Sequence, residues 1–223
     1  MPRLLELCCG GKSFSRHFLA QGWEVVSVDI DPKFQPTIVS DVRLLEPTRW
    51  PAGHFDVVFA SPPCCAYSIA RSTAPRDFRE ADEIVLACWD HIKHQTSDPE
   101  KQVTWFMENP GTGYLKTRPF QIQWAEYIKP VTYCKYGKPY RKLTYFWTNL
   151  DWEPKQLCSK GSRCVSYCND QNCHIHTAQK GPSKIQKGTT KTQNDDFKSE
   201  ELYSYPERLV AEILACISGR RLR

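Results

Sequence analysis

Two short segments carry side-chain types that could do covalent chemistry together. One reads Ser-Pro-Pro-Cys and ends at Cys64, and the other reads Met-Glu-Asn-Pro and contains Glu108. A proline pair has fixed φ angles and lacks two amide donors, so it forms a rigid edge on which a thiol is placed like a nucleophile. Because consecutive strand ends of a parallel sheet can lie side by side, we expect both side chains to face one pocket. The alternatives are a small buried thiol and a strand-end acid paired with a cation.

Three other segments indicate a nucleoside cofactor. Glu6–Phe14 places a glycine pair after an apolar run, where small residues let a ligand approach the backbone at the edge of a sheet. Asp29 ends the next such run, a place where an acid commonly accepts hydrogen bonds from ribose hydroxyls. Asp41, after a third short segment, could hold an adenine edge. Each piece alone is weak evidence, and the glycine pair also fits an ordinary tight turn. The pattern is neither Gly-x-Gly-x-x-Gly nor a phosphate loop.

A third group of side chains has the composition of a metal site. The segment Cys158–His176 has the spacing C-x5-C-x3-C-x4-C-H-x-H, which is dense in zinc-type ligands but lacks the usual C-x2-C knuckles. Zinc would order a polar segment that has no core of its own, and the alternative is free thiols on a basic loop. The predicted ligands are Cys158, Cys164, Cys168, Cys173, His174 and His176. Five other cysteines lie in or beside apolar runs and are interpreted as mainly core residues: Cys8, Cys9, Cys88, Cys134 and Cys216.

The elements that would position these groups alternate in type along the first half of the chain. Helices are predicted at Ser13–Gln21 and at Glu80–His94, where apolar residues fall on one face. The alternation predicts an α/β fold with a doubly wound, mostly parallel sheet. The predicted buried strands are Arg3–Leu7, Glu24–Val28, Phe55–Ala60 and Val103–Glu108.

The pattern changes after Pro130. Val131–Tyr136 and Thr144–Asn149 are predicted to form an antiparallel pair, joined by a turn through Gly137-Lys138-Pro139. A polar stretch, Gly181–Asp196, is predicted to be flexible, and Pro206–Ile217 to form an amphipathic helix. These features divide the chain into a catalytic core (1–150), a small basic Cys/His-rich insert (151–203) and a C-terminal helix that packs back on the core (204–223).

Length and charge narrow the class of protein. The 223 residues suit one domain with a sizeable core, no apolar run is long enough to span a bilayer, and the N-terminus lacks the layout of a secretory signal. An intracellular, reducing compartment and a monomer are expected, with the eleven cysteines as thiols or metal ligands. The formal charge is +5, with cations clustered at Lys116–Lys142 and Lys155–Lys191. Such clusters favour contact with a polyanion, although a solvated surface would look the same.

Several motifs in order resemble those of the DNA cytosine-5 methyltransferases, and above all the short members from phages and viruses. They are ELCCGGKSF, VVSVDIDP, FDVVFASPPC, MENP and TYCKYGKPYRKLTYFWTN, with a fainter likeness in YPERLVAEIL. The resemblance covers roughly Leu4–Asn149. It implies a class I S-adenosylmethionine-dependent methyltransferase fold, S-adenosylmethionine as cofactor and DNA as partner, with the target cytosine flipped out of the duplex.

The resemblance also implies roles for individual residues. Cys64 would add to carbon 6 of cytosine, Glu108 would donate to N3, and Arg141 would hold the base. The implied cofactor site consists of Glu6, Cys8, Cys9, Gly10, Gly11, Ser13, Phe14, Asp29, Ile30, Asp41, Val42, Ser61 and Pro62. The implied DNA contacts are Tyr67, Ser68, Arg71 and Lys142. The sequence departs from the family where Cys65 replaces the usual Gln and where Lys12 replaces a Gly.

The expected activity is therefore methylation of carbon 5 of cytosine in DNA. Three alternatives stay open: the same chemistry on RNA, methylation of an exocyclic amino group, and a catalytically silent DNA-binding relative. The insert stands where larger relatives carry a target-recognition domain. Its small size predicts a short recognition site or little sequence specificity at all, with lysines that mainly contact phosphates.

Overall fold

The computed structural model describes residues 1–69, 75–159, 161–168, 173–174, 176–177 and 199–221. The strands are β1 (Arg3–Leu7), β2 (Glu24–Asp29), β3 (Ile38–Val39), β4 (Val57–Ala60), β5 (Thr104–Pro110), β6 (Ile128–Thr132), β7 (Tyr140–Arg141), β8 (Leu143–Thr148), β9 (Tyr167–Cys168), β10 (Cys173–His174) and β11 (His176–Thr177). The α-helices are α1 (Ser15–Ala20), α2 (Phe78–Gln95), α3 (Ser199–Tyr203) and α4 (Glu207–Arg221). Among the described residues, no helix combines the length and the apolar composition needed to cross a bilayer.

Seven strands form one sheet in the order β3-β2-β1-β4-β5-β8-β6. The pairs from β3 to β5 are parallel, whereas β8 runs antiparallel to both of its neighbours. The predicted α/β class, with a mostly parallel sheet and an antiparallel end, is confirmed. The strand order reverses between β1 and β4, and in such sheets ligands bind outside the carboxyl ends of the strands at that point.

The central strands are apolar on both faces because helices cover both. β4 is buried at all four positions, which explains its unbroken run of apolar residues. One face carries Phe59, Phe106 and Phe146, packed against α1 and α4. The opposite face carries Val58 and Met107, packed against α2.

The boundaries of α2 follow from its cap. The side chain of Asp77 accepts a hydrogen bond of 3.0 Å from the backbone N–H of Glu80, so the helix begins at Phe78 and not at the predicted Glu80. Val85, Cys88 and Ile92 are completely buried against the sheet. The predicted apolar face of this helix therefore contributes to the core.

The antiparallel pair differs in detail from the prediction. β6 and β8 do pair, with Thr132 opposite Leu143, but the chain leaves the sheet at Thr132. Tyr133–Tyr136 forms a 3-10 helix that ends at Gly137, whose φ of 98° lies in the left-handed region favouring glycine. The prediction that a strand continues to Tyr136 was wrong because the β-propensity of two tyrosines was overridden by this turn.

The C-terminal helix α4 lies on the face that carries the phenylalanines. Leu209, Val210 and Ile213 are completely buried there. The division of the chain near residues 150 and 203 stays a prediction, and the predicted flexible stretch Gly181–Asp196 lies outside the described residues.

Candidate active site

The register of the sheet brings three loops to the same edge. Leu7 pairs with Ala60, and Ala60 pairs with Met107, so β1, β4 and β5 end at the same level. Side chains alternate between faces along a strand. Glu6 and Glu108, each one position away from this level, therefore project to the face covered by α1 and α4.

The Ser-Pro-Pro-Cys loop is fixed by hydrogen bonds to both neighbouring strand ends. The backbone N–H of Ser61 donates to the carbonyl of Leu7 at 3.1 Å, and its hydroxyl donates to the carbonyl of Cys8 at 3.0 Å. From the other side, the side-chain amide of Asn109 donates to the carbonyl of Pro62 at 2.9 Å. The asparagine after Glu108 thus holds the loop that carries Cys64 against β5, a role that the sequence did not indicate.

Cys64 is half-buried at the end of this loop. Burial is the main cause that raises the pKa of its thiol to about 11, and the carboxyl of Glu108 adds to the rise while Lys142 opposes it. Roughly one thiol in ten thousand is then ionised at pH 7. This electrostatic coupling to both residues indicates that all three belong to one site, and that the resting thiol is neutral.

Glu108 is a buried carboxyl with one free oxygen. Its side chain is 7% exposed, and burial raises its pKa, against the opposing effects of Lys142 and Tyr205. The hydroxyl of Tyr205 donates to Oε2 at 2.9 Å, whereas Oε1 has no hydrogen-bond partner among the described residues. A buried oxygen without a partner is costly, so an incoming polar ligand would be favoured here. A carboxyl with a raised pKa can donate a proton to such a ligand.

Lys142, and not its neighbour Arg141, is the basic residue near Cys64 and Glu108. Lys142 influences the pKa of both, and its ammonium donates to the carbonyl of Leu202 at 3.0 Å. Arg141 is exposed. The sequence had assigned Arg141 to the base and Lys142 to DNA; the structure brings Lys142 rather than Arg141 into the surroundings of Cys64 and Glu108.

The cofactor loop, which follows β1, is preceded by a second buried carboxyl on that strand. Glu6 is 1% exposed, burial raises its pKa to about 7, and Oε2 has no partner among the described residues. The loop turns through positive φ angles at Cys8 (55°), Gly10 (46°) and Lys12 (53°). The last angle lies in the left-handed region that favours glycine, although this chain has a lysine there.

Asp29 anchors this loop to the end of β2. Its carboxylate accepts hydrogen bonds from the backbone N–H groups of Gly10 at 2.8 Å and Asp31 at 2.9 Å. A carboxylate has about four acceptor positions, so two remain for ribose hydroxyls. Ile30 beside it is 65% exposed and offers an apolar surface to a nucleobase. These features fit S-adenosylmethionine.

Other predicted cofactor residues have structural roles. Phe14 is completely buried and stacks on Phe59 with ring centroids 3.7 Å apart, so it belongs to the core and does not line an open site. The hydroxyl of Ser13 accepts a hydrogen bond of 3.2 Å from the backbone N–H of Tyr205. Asp41 is held by Arg43 through a close ion pair of 2.6 Å. Cys9, Val42 and Pro62 are buried, and Gly11 is exposed.

The predicted DNA contacts are only partly described. Tyr67 is completely buried and its hydroxyl donates to Asp82 at 2.7 Å, so it is not available to touch DNA and that interpretation is corrected. The carbonyl of Ser68 accepts a hydrogen bond of 2.7 Å from Arg76. Arg71 lies outside the described residues.

The candidate metal ligands that the structure brings together differ from the predicted set. Ligand atoms of Cys158, Cys164 and His174 lie together with that of Cys134, which the sequence had placed in the core. The side chains of the other predicted ligands, Cys168, Cys173 and His176, lie outside the described part of the chain. Because Cys134 lies 24 positions before Cys158, no local spacing could have revealed it.

The strand order and the three loops at one edge define a class I S-adenosylmethionine-dependent methyltransferase fold. The chain is 25% identical to a probable DNA (cytosine-5)-methyltransferase of Frog virus 3 (isolate Goorha), over 95% of this chain and 98% of the viral protein. The predicted likeness to the DNA cytosine-5 methyltransferases is thereby confirmed along nearly the whole chain. No family model matches the sequence.

Solved structures show a weaker similarity. Dnmt2 of Spodoptera frugiperda is 17% identical with a TM-score of 0.49, over 73% of this chain and 57% of that chain. Dnmt2 of S. pombe is 16% identical with a TM-score of 0.47, over 72% and 53%. The chain thus spans little more than half the length of these structures. Both scores lie below 0.5, so the fold assignment depends on the strand order.

Proposed function

We propose that the protein transfers the methyl group of S-adenosylmethionine to carbon 5 of cytosine in DNA. The observation that carries this proposal is the buried carboxyl of Glu108, with one unpartnered oxygen, in the same electrostatic environment as Cys64. The viral relative's description as a DNA methyltransferase supports DNA as the substrate.

Each residue would act on one side of the pyrimidine ring. The Cys64 thiol loses its proton to solvent, and the thiolate forms a bond to carbon 6 while Glu108 gives a proton to N3. The electron pair of the ring's 5,6 double bond is thereby made available at carbon 5. S-adenosylmethionine, which Glu6 and Asp29 would hold, would supply an electrophilic methyl group there, with the electron pair of the broken sulfur–methyl bond left on its sulfur. A base then removes the proton of carbon 5, the sulfur–carbon bond breaks to restore the double bond, and N3 returns its proton to Glu108.

Lys142 would favour both charged forms that this cycle passes through. It opposes the rise in the pKa of Cys64 and of Glu108, so it promotes the thiolate and stabilises the carboxylate left after protonation of N3. The clustered lysines and arginines between Lys116 and Lys142 would add phosphate contacts, with an affinity that falls as salt rises.

The proposal is tested by incubating the protein with radiolabelled S-adenosylmethionine and matched DNA and RNA, and by trapping on 5-fluorocytosine DNA. We expect labelled 5-methylcytosine in DNA and a covalent protein–DNA adduct. The variant Cys64→Ala should lose at least about a thousandfold in rate and form no adduct, while Glu108→Gln should lose about a hundredfold or more. The exposed neighbour provides the matched control, since Cys65→Ala should still form the adduct.

The outcomes separate the alternatives. Label in RNA alone would overturn the DNA assignment, and methylation without a trapped adduct would indicate attack by an exocyclic amino group. An adduct that persists in Cys64→Ala would contradict the assignment of the nucleophile.

A further inference from the structure

Four metal-binding side chains from distant parts of the chain converge at one place in the structure. The Sγ atoms of Cys134, Cys158 and Cys164 and one ring nitrogen of His174 all lie within 4.8 Å of one another. His174 Nε2 lies 3.4 Å from the sulfur of Cys158 and 3.3 Å from that of Cys164. We call these four residues the Cys3His cluster.

The two sulfur–nitrogen distances match those around a tetrahedral zinc ion, and no two of the four ligand atoms are more than 4.8 Å apart. With Zn–S near 2.3 Å and Zn–N near 2.0–2.1 Å, a sulfur and a nitrogen on neighbouring corners are about 3.5 Å apart, and two sulfurs about 3.8 Å. Three thiolates and one imidazole in this geometry favour zinc over the oxygen-seeking cations. Four protein ligands also leave no open position, which is typical of a structural site.

The polypeptide around the cluster is held by its own hydrogen bonds. Cys158 is 5% exposed, and its backbone N–H donates to the hydroxyl of Thr132 at 3.0 Å. Ser159 and Ser162 exchange two backbone hydrogen bonds of 3.1 Å, which form the turn that leads to Cys164. The ammonium of Lys135, next to Cys134, donates to the hydroxyl of Ser162 at 2.8 Å. The first three ligands are thus brought together by interactions that do not require an ion.

We propose that the Cys3His cluster binds one structural Zn²⁺, which fastens the insert to the catalytic core. Cys134 belongs to the 3-10 helix after β6, whereas the other three ligands belong to the insert. The insert segment has few apolar side chains, so metal binding would supply much of its folding free energy. Beyond His174, β11 pairs with β7 at Tyr140 and Arg141, directly before Lys142. The metal would therefore stabilise the strand that leads into the active site.

Metal content of the full-length protein tests this directly. We expect one zinc per chain by elemental mass spectrometry, and cobalt(II) exchange should give the visible absorption of a tetrahedral thiolate site. Cys134→Ala and His174→Ala should each lose the stoichiometric zinc. Cys216→Ala, a half-buried cysteine of α4 outside the cluster, should retain it.

Limited proteolysis supplies a readout that does not depend on activity. Chelation should speed cleavage between residues 155 and 177 at least tenfold, and added ZnCl₂ should reverse the effect. Wild-type protein that carries no zinc and takes up none from ZnCl₂ would overturn the proposal, as would iron in its place. Zinc retained in Cys134→Ala but lost in Cys168→Ala would overturn the ligand set. Since these readouts are independent of methyl transfer, the zinc proposal can fail while the proposed function stands.

Discussion

Glu6 allows a quantitative test of how burial sets the chemistry of this site. Its carboxyl is 1% exposed, and burial raises its pKa from 4.5 to about 7. The folded chain therefore keeps a proton that the unfolded chain releases. Folding stability should fall as pH rises from 4.5 to about 7 and change little from this cause above that range. A rise of this size corresponds to about 3 kcal/mol in total, most of it between pH 5 and pH 8.

The substitution Glu6→Gln removes this titration while conserving the shape of the side chain. The parent should lose stability between pH 5 and pH 8, whereas the variant should not lose it from this cause. The free energy of unfolding of the variant minus that of the parent should therefore increase by about 2–3 kcal/mol over this range. Urea unfolding of both proteins at both pH values measures this difference, and all other titrating groups cancel in it. Glu24→Gln, at an exposed ion pair with Arg3, should change by less than about 0.5 kcal/mol. An equal difference at the two pH values for Glu6→Gln would refute the reasoning.

Three further predictions test the contacts of the candidate active site. Tyr205→Phe removes a hydrogen bond that lowers the pKa of Glu108, so the decline of kcat at alkaline pH should move to higher pH, and an unchanged profile would contradict the role. Lys142→Met should raise the pKa of Cys64 and of Glu108, so less thiolate forms and the rate at pH 7 should fall by about tenfold or more. Arg141→Met should reduce the rate less. A larger loss of rate in Arg141→Met than in Lys142→Met would support the assignment made from sequence. Asn109→Ala leaves the Pro62 carbonyl without its donor and should cost about 1–3 kcal/mol in urea unfolding, so a change within about 0.5 kcal/mol would show that other contacts hold the loop.

The sequence allowed the candidate site to be predicted where a reactive side chain lies at or just after the end of a predicted strand. Cys64 and Glu108 each follow an apolar run, and parallel strands align their carboxyl ends, so their proximity followed from strand type alone. The same argument placed Glu6 and Asp29 at the cofactor edge. These are local patterns combined with one general rule of sheet topology.

Groups that depend on long-range packing could not be found in this way. Tyr205 is 97 positions from Glu108 and reaches it because the segment before α4 crosses the face that carries Phe59 and Phe146. Cys134 had the surroundings of a core cysteine, and only the return of the insert reveals its three companions. The orientations of Arg141 and Lys142 depend on a break between β7 and β8 that no periodicity marks.

Tyr205 contacts both the cofactor loop and Glu108. Its backbone N–H donates to the hydroxyl of Ser13 in the cofactor loop, while its own hydroxyl donates to Glu108. The ring between these two contacts packs against Phe14 and Phe59, with centroids 5.8 Å and 5.4 Å away, so it has little freedom to move independently. A shift of the cofactor loop would therefore displace the donor that helps set the pKa of Glu108, the proposed catalytic acid. The C-terminal segment is for this reason part of the candidate active site as well as a cover for the core.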